Sequence, residues 1–117
     1  DGLDEISPYA KTNVVQLKDG EISEIIIDPK ELNIDANKFE DLLGDDAKFN
    51  ASKIVNIFKG EDNDFSKAIC LNAAAGLLVA GKYSSFNNAY ADARKYILSG
   101  KTYENLKKLQ NAWKHFR

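Results

Sequence analysis

Residues 68–81 read AICLNAAAGLLVAG, with one polar side chain, Asn72, and no charge. A surface helix shows a polar face, and this stretch has almost none. Its length and its alanine content favour a helix over a buried strand. It is too short to cross a bilayer, which takes about 20 apolar residues. Ala68–Gly81 is therefore expected to be a helix buried on nearly all sides, with Ala73–Gly76 small enough to let neighbouring backbones come close. Such a helix needs several covering elements, and the rest of the chain decides whether it has them.

Upstream, Asp1–Tyr9 reads as a loop broken by Gly2 and Pro8. Thr12–Leu17 and Ile22–Ile27 are β-prone runs separated by Lys18-Asp19-Gly20-Glu21. Asp-Gly supplies the positive φ of a tight turn, which predicts an antiparallel hairpin. A lone hairpin is barely stable in water, so this one should pair or pack with something else. Asp28-Pro29 ends the second strand, and Glu31–Leu43 reads mostly as loop with a short helical turn near Asn37–Leu43. Gly44-Asp45-Asp46 opens a helix whose apolar stripe is Ala47, Ala51, Ile54, Val55 and Phe58, with Gly60 as its terminator. The acidic cluster Glu61-Asp62-Asn63-Asp64 caps the apolar helix. A third helix starts at Ser84 or Ser85, with Phe86, Ala89, Tyr90, Ala93 and Ile97 on one face. A fourth starts near Thr102, with Tyr103, Leu106, Leu109, Trp113 and Phe116 along one side, and these aromatics are expected in the core. Strands followed by helices give an α+β pattern with too little sheet for its helices, so the 117 residues read as part of a larger domain.

The totals exclude several function classes. A charged fraction of 29% against 44% apolar residues fits a globular protein rather than a disordered or fibrous one. No signal-peptide pattern or membrane anchor is visible. Cys70 stands alone, so no internal disulfide can form, and a cytoplasmic location is expected. Residues 1–64 carry 16 acids against 7 bases, and residues 65–117 carry 2 against 9. Those bases are scattered on helical faces among apolar residues. Mutual attraction of the two halves, or a solvated surface on each, therefore outweighs a nucleic-acid-binding tail, and a nucleic-acid partner is not expected.

Several segments in order resemble anthranilate phosphoribosyltransferase, specifically its C-terminal third. They are Gly2-Leu3-Asp4-Glu5, Thr12 and Val14 with the Asp19-Gly20 hairpin, Pro29, Gly44-Asp45, Asn50-Ala51, Leu71-Asn72-Ala73-Ala74-Ala75, Ala93-Arg94 and Ser99-Gly100-Lys101. Each motif is weak by itself; the ordered set is specific. The resemblance implies an α/β parent domain of the class III nucleoside-phosphorylase type. This chain, over residues 1–117, would be an α+β piece of it, a β-hairpin followed by about four helices. It also implies transfer of phosphoribosyl from phosphoribosyl pyrophosphate to anthranilate in tryptophan biosynthesis, with Mg2+ as cofactor and a homodimer as the assembled form. The family's Gly-Thr-Gly-Gly-Asp loop, its Lys-His-Gly-Asn segment and its anthranilate-holding residues are absent. All of them precede the Gly-Leu-Asp-Glu loop in the family. The chain is thus expected to be a C-terminal fragment, inactive alone, in keeping with a sequence that holds no methionine. The alternatives are a pyrimidine nucleoside phosphorylase-like or DNA-binding relative of the same superfamily, or a free-standing interaction module.

Asp4 and Glu5 are the residues the resemblance carries over, as ligands of the metal. Mg2+ takes one or two carboxylates together with phosphate oxygens and water. In a regular strand adjacent carboxylates point apart, whereas a loop can aim both at one ion. No catalytic or substrate-binding residue is carried over. Asn72 reads as a structural amide bonded to nearby backbone, because a buried amide must find partners. His115 has no cysteine or second histidine beside it and reads as a surface residue. Ser84-Ser85 reads as a cap, having no base to make it a nucleophile. Lys11 and Lys18 have no spacing that favours phosphate.

Overall fold

The computed structural model describes residues 1–116. Two strands, β1 (Thr12–Lys18) and β2 (Glu21–Ile27), precede four helices: α1 (Ala47–Phe58), α2 (Asp64–Val79), α3 (Phe86–Leu98) and α4 (Lys101–Lys114). Single 3-10 turns lie at Pro29–Leu32 and Phe39–Leu42, the second within the stretch read as a helical turn.

The hairpin forms as its turn chemistry dictates. Asp19 and Gly20 both have positive φ, 52° and 83°, and strand register runs from Thr12 opposite Ile27 to Lys18 opposite Glu21. This is the two-residue connection whose twist matches paired strands. Among the described residues no third strand joins it. One face carries Val15, Leu17, Ile22 and Ile26, each at least 60% exposed, so the packing partner expected for the hairpin is not found along these residues.

The helices begin at their coded caps. Asp46 accepts from Phe49 N at 2.8 Å. At α2, Asn63 accepts from Ser66 N while Ser66 Oγ accepts from Asn63 N, a reciprocal capping box. Ser85 caps α3. Gly60 ends α1 with φ +105°, and Gly100, with φ +76°, precedes α4.

The core lies between α2 and α3: Cys70, Leu71 and Ala74 meet Ala89, Tyr90, Ala93 and Ile97, with Ile34 and Ile57 closing it. The α3 stripe is the one the spacing predicts. The α1 stripe is not, since Ile57 is the buried residue of that helix, while Ala47, Ala51 and Ile54 are exposed. Only the C-terminal turn of α1 reaches the core.

Two further expectations change. The apolar helix α2 is not buried on nearly all sides: Ala73 and Gly76 are exposed, as is Val79 at 90%. Nor does α4 cover it, since α4 packs on α3 and α1. Leu109, Trp113 and Phe116 are therefore exposed rather than core, at 66%, 63% and 84%. Mutual attraction between the chain's acidic and basic parts is visible where Arg94 pairs with Asp62 and Lys67 with Asp64. Among the described residues, no helix is long and apolar enough to cross a membrane.

Candidate functional site

Asp4 and Glu5 occupy a bend in the N-terminal loop, and both are exposed. The loop leading to them is shaped by local polar groups. Gly2 takes φ +89°, a left-handed conformation that costs glycine little. The Asp1 carboxylate accepts from Leu3 N at 3.2 Å and from the Ser7 hydroxyl at 2.5 Å, closing residues 1–7 into a ring with Asp4 and Glu5 at its tip. Ser7 is 2% exposed, and its oxygen also accepts from Tyr9 N and Ala10 N. Ser7 N donates to Thr12 Oγ1, which ties the ring to the start of β1.

Two anchors fix this loop to the body. The Tyr9 hydroxyl donates to Lys38 O at 2.8 Å, and its ring lies 5.8 Å from that of Phe39. Burial, with Asp64, Asp41 and Glu40 nearby, pushes the Tyr9 phenol up to about 12, so it stays a neutral donor. The second anchor is Asn72. Its Oδ1 accepts from Ile6 N at 3.0 Å, and its Nδ2 donates to Ile6 O at 3.2 Å and to Ala68 O at 2.9 Å. Asn72 is the structural amide expected of it, but one of its two backbone partners lies 66 residues away, at the residue after Glu5. A cleft of about 320 Å³ opens beside this contact, lined by Leu3, Glu5, Ile6, Phe65, Ile69 and Asn72 among others.

The ion pairs among the described residues are Lys11–Asp28, Lys67–Asp64 and Arg94–Asp62, which leave both Asp4 and Glu5 uncommitted. Lys11, weighed as a phosphate attractor, is thus engaged with Asp28. No group of three or more His, Cys, Asp or Glu residues comes together among the described residues. Two free, adjacent carboxylates suit Mg2+, which keeps waters and phosphate oxygens in its remaining positions, and do not suit an ion that needs a full protein cage. His115 is exposed. Sequence reasoning missed Asp1 and Ser7 as loop-shaping groups. Ser7 ahead of Pro8 was the available signal, since serine hydroxyls commonly bond backbone within a turn.

Comparison with known proteins places this loop and fold in context. The chain is 75% identical over 111 residues to the anthranilate phosphoribosyltransferase of Pelagibacter ubique (strain HTCC1062), which covers 95% of this chain and 34% of that protein. It is 39% identical over 109 residues to the anthranilate phosphoribosyltransferase of Alkaliphilus metalliredigens (strain QYMF), covering 93% of this chain and 32% of that one. The crystal structure of anthranilate phosphoribosyltransferase from Thermus thermophilus superposes with a TM-score of 0.81 at 29% identity, over 92% of this chain and 32% of the other. The chain thus spans about a third of the length of the relatives it matches. The family model described as glycosyl transferase family, a/b domain, matches residues 1–103, and the chain belongs to that family.

Proposed function

We propose that this chain is the C-terminal part of the α/β domain of an anthranilate phosphoribosyltransferase. In that enzyme the phosphoribosyl group passes from phosphoribosyl pyrophosphate to the amine of anthranilate, and pyrophosphate leaves. The observation that carries the reading is the 75% identity across 95% of the chain to an enzyme of that name. With it come a cytoplasmic location and a homodimer as the assembled form.

The chain's own share is the exposed Asp4–Glu5 bend, which would hold Mg2+. When bound, Mg2+ supplies charge neutralisation for the pyrophosphate group. The Asp1–Ser7 hydrogen bond closes the loop around the bend, and Tyr9 and Asn72 hold it against the body, so the backbone that carries the two carboxylates is anchored. Anchoring matters because a site of this kind works by positioning. No residue of this chain is assigned as nucleophile or general base, and the chain alone is expected to be inactive.

The test is a chimaera in which this chain replaces the matching third of the Pelagibacter ubique relative. The expected result is loss of anthranilate fluorescence that requires both phosphoribosyl pyrophosphate and Mg2+. A folded chimaera that leaves anthranilate untouched, while the parent enzyme consumes it, overturns the proposal.

A further inference from the structure

We infer that Asn72 is a positioning residue for the Asp4–Glu5 carboxylates, coupling the bend to helix α2 through the backbone of Ile6. The inference rests on the proposed metal role of Asp4 and Glu5 and names the residue that orients them.

The geometry is that of a bridge between a side chain and a backbone. A primary amide offers an acceptor oxygen and a two-proton donor. Asn72 spends the oxygen on Ile6 N at 3.0 Å and one proton on Ile6 O at 3.2 Å, so a single side chain grips both polar groups of one residue. The other proton goes to Ala68 O, one turn back along α2, which fixes the amide plane relative to the helix axis. The Ile6 N–H belongs to the peptide group joining Glu5 to Ile6, and the Ile6 carbonyl to the next one. Two consecutive peptide planes immediately after Glu5 are therefore set by α2. Ser7 N, bonded to Thr12 Oγ1, fixes the following N–H, and the Asp1–Ser7 contact closes the other side.

Neither Asp1 nor Ser7 ties the ring to a helix; Asn72 does. Without it, the ring would keep its internal bonds but lose its docking to α2. Helix α2 suits this role because its middle is packed on α3 through Leu71 and Ala74, both fully buried. The same device recurs at Asn50, whose amide accepts from Asp45 N at 3.0 Å and donates to Asp45 O at 2.9 Å. There it shapes only the local entry to α1, five residues away. At Asn72 it reaches across the fold to a loop that carries two free carboxylates. Groups that hydrogen-bond metal ligands directly are commonly worth 10- to 100-fold in metal affinity, and Asn72, which acts one residue away through backbone, is expected at the lower end, about tenfold.

The test uses the chimaera described above, labelled with 15N, with this chain's third carrying either the wild-type asparagine or Asn72→Ser. Serine is chosen because its hydroxyl can still bond the carbonyl one turn back, so the helix stays satisfied while the reach to Ile6 is lost. Two readouts are taken on each protein: amide hydrogen exchange, and paramagnetic broadening during titration with Mn2+ as the probe. In the wild type, broadening should centre on Asp4 and Glu5. In Asn72→Ser, exchange of the Ile6 amide should accelerate about tenfold, while Leu71 and Ala89 amides keep their protection. The Mn2+ midpoint should rise about tenfold as well. A Mn2+ midpoint that matches wild type overturns the inference, whether or not Ile6 exchange accelerates. So does acceleration of Leu71 and Ala89 together with Ile6, which would make Asn72 a residue of the global fold. If Mn2+ broadening in the wild type does not centre on Asp4 and Glu5, the metal reading fails. A selectively loosened Ile6 would in that case still support Asn72 as the anchor of the bend.

Discussion

Asp64 offers the sharpest test of how the loops are held to the helical body. It is the first residue of α2 and 5% exposed. One carboxylate oxygen accepts from Asn37 N and Lys38 N, each at 2.8 Å, and the other from Lys67 Nζ at 2.6 Å. Asp64→Asn keeps the shape and removes the charge. Whichever way the new amide turns, a donor faces either the two backbone N–H groups or the Lys67 ammonium. Hydrogen bonds to charged groups contribute about 1.5–3 kcal/mol each, and breaking a buried pair costs about 3–5. Lys67 retains 20% side-chain exposure and can turn toward water, so we expect the lower end, about 3 kcal/mol. In urea, with a slope of about 1–2 kcal/mol per molar, the unfolding midpoint should fall by roughly 2 M with the slope unchanged. The pH dependence adds a second arm. Burial raises the Asp64 carboxyl, but Lys67 and the Lys38 and Asn37 N–H groups together hold it below its ordinary 3.8. A carboxyl depressed in the folded state stabilises above its unfolded value, and that contribution is lost as pH falls through the folded one. The gap between wild type and Asp64→Asn should therefore be full at pH 5 to 7 and close below about pH 3.8. A variant within about 0.5 kcal/mol of wild type at pH 7, or a gap that persists at the acid end, would refute this account.

Two further outcomes follow from single positions. Cys70 is 1% exposed, and burial pushes its thiol up to about 11, against the pull of Arg94. A thiol reagent at pH 8 should label it only at the rate the chain unfolds, and rapid labelling of the folded protein would contradict its place in the core. Gly60→Ala would put a Cβ 2.7 Å from Leu98 O at φ +105°, a backbone contact that cannot swing aside. We expect a loss of about 1–3 kcal/mol in urea unfolding, and an unchanged midpoint would mean that the α1 terminus rearranges freely.

What could be read from the sequence divides by how local its cause is. The hairpin was legible because Asp19-Gly20 encodes its own turn, and the caps at Asp46, Asn63 and Ser85 because each bonds within three residues. The α3 stripe was legible because the helix that covers it, α2, is next to it in the chain. Spacing reports which residues share a face but not how far along a helix the neighbour reaches, and so Ile57 went unread while Ala47 and Ala51 were expected inside. The candidate site shows the same limit. Adjacent carboxylates at Asp4 and Glu5 carry little meaning without the ordered resemblance around them. That a half-buried Asn72 finds partners follows from chemistry; that one partner is Ile6 follows only from the fold.

The apolar excess of α2 turns on the same distinction. Hydropathy states that a helix is to be covered and is silent on what covers it. Here α3 covers one side, and a groove of about 760 Å³ stays open on another, lined by Ile69, Ala73, Gly76 and Leu77 of α2 with Phe58 and Tyr96. The hairpin face at Val15, Leu17 and Ile22 is open as well, and so is the α4 stripe at Leu109, Trp113 and Phe116. Three apolar faces on one small chain are more than scattered surface residues. They are what a structural piece spanning about a third of its relatives would leave uncovered, and they favour the proposed larger enzyme over a free-standing module.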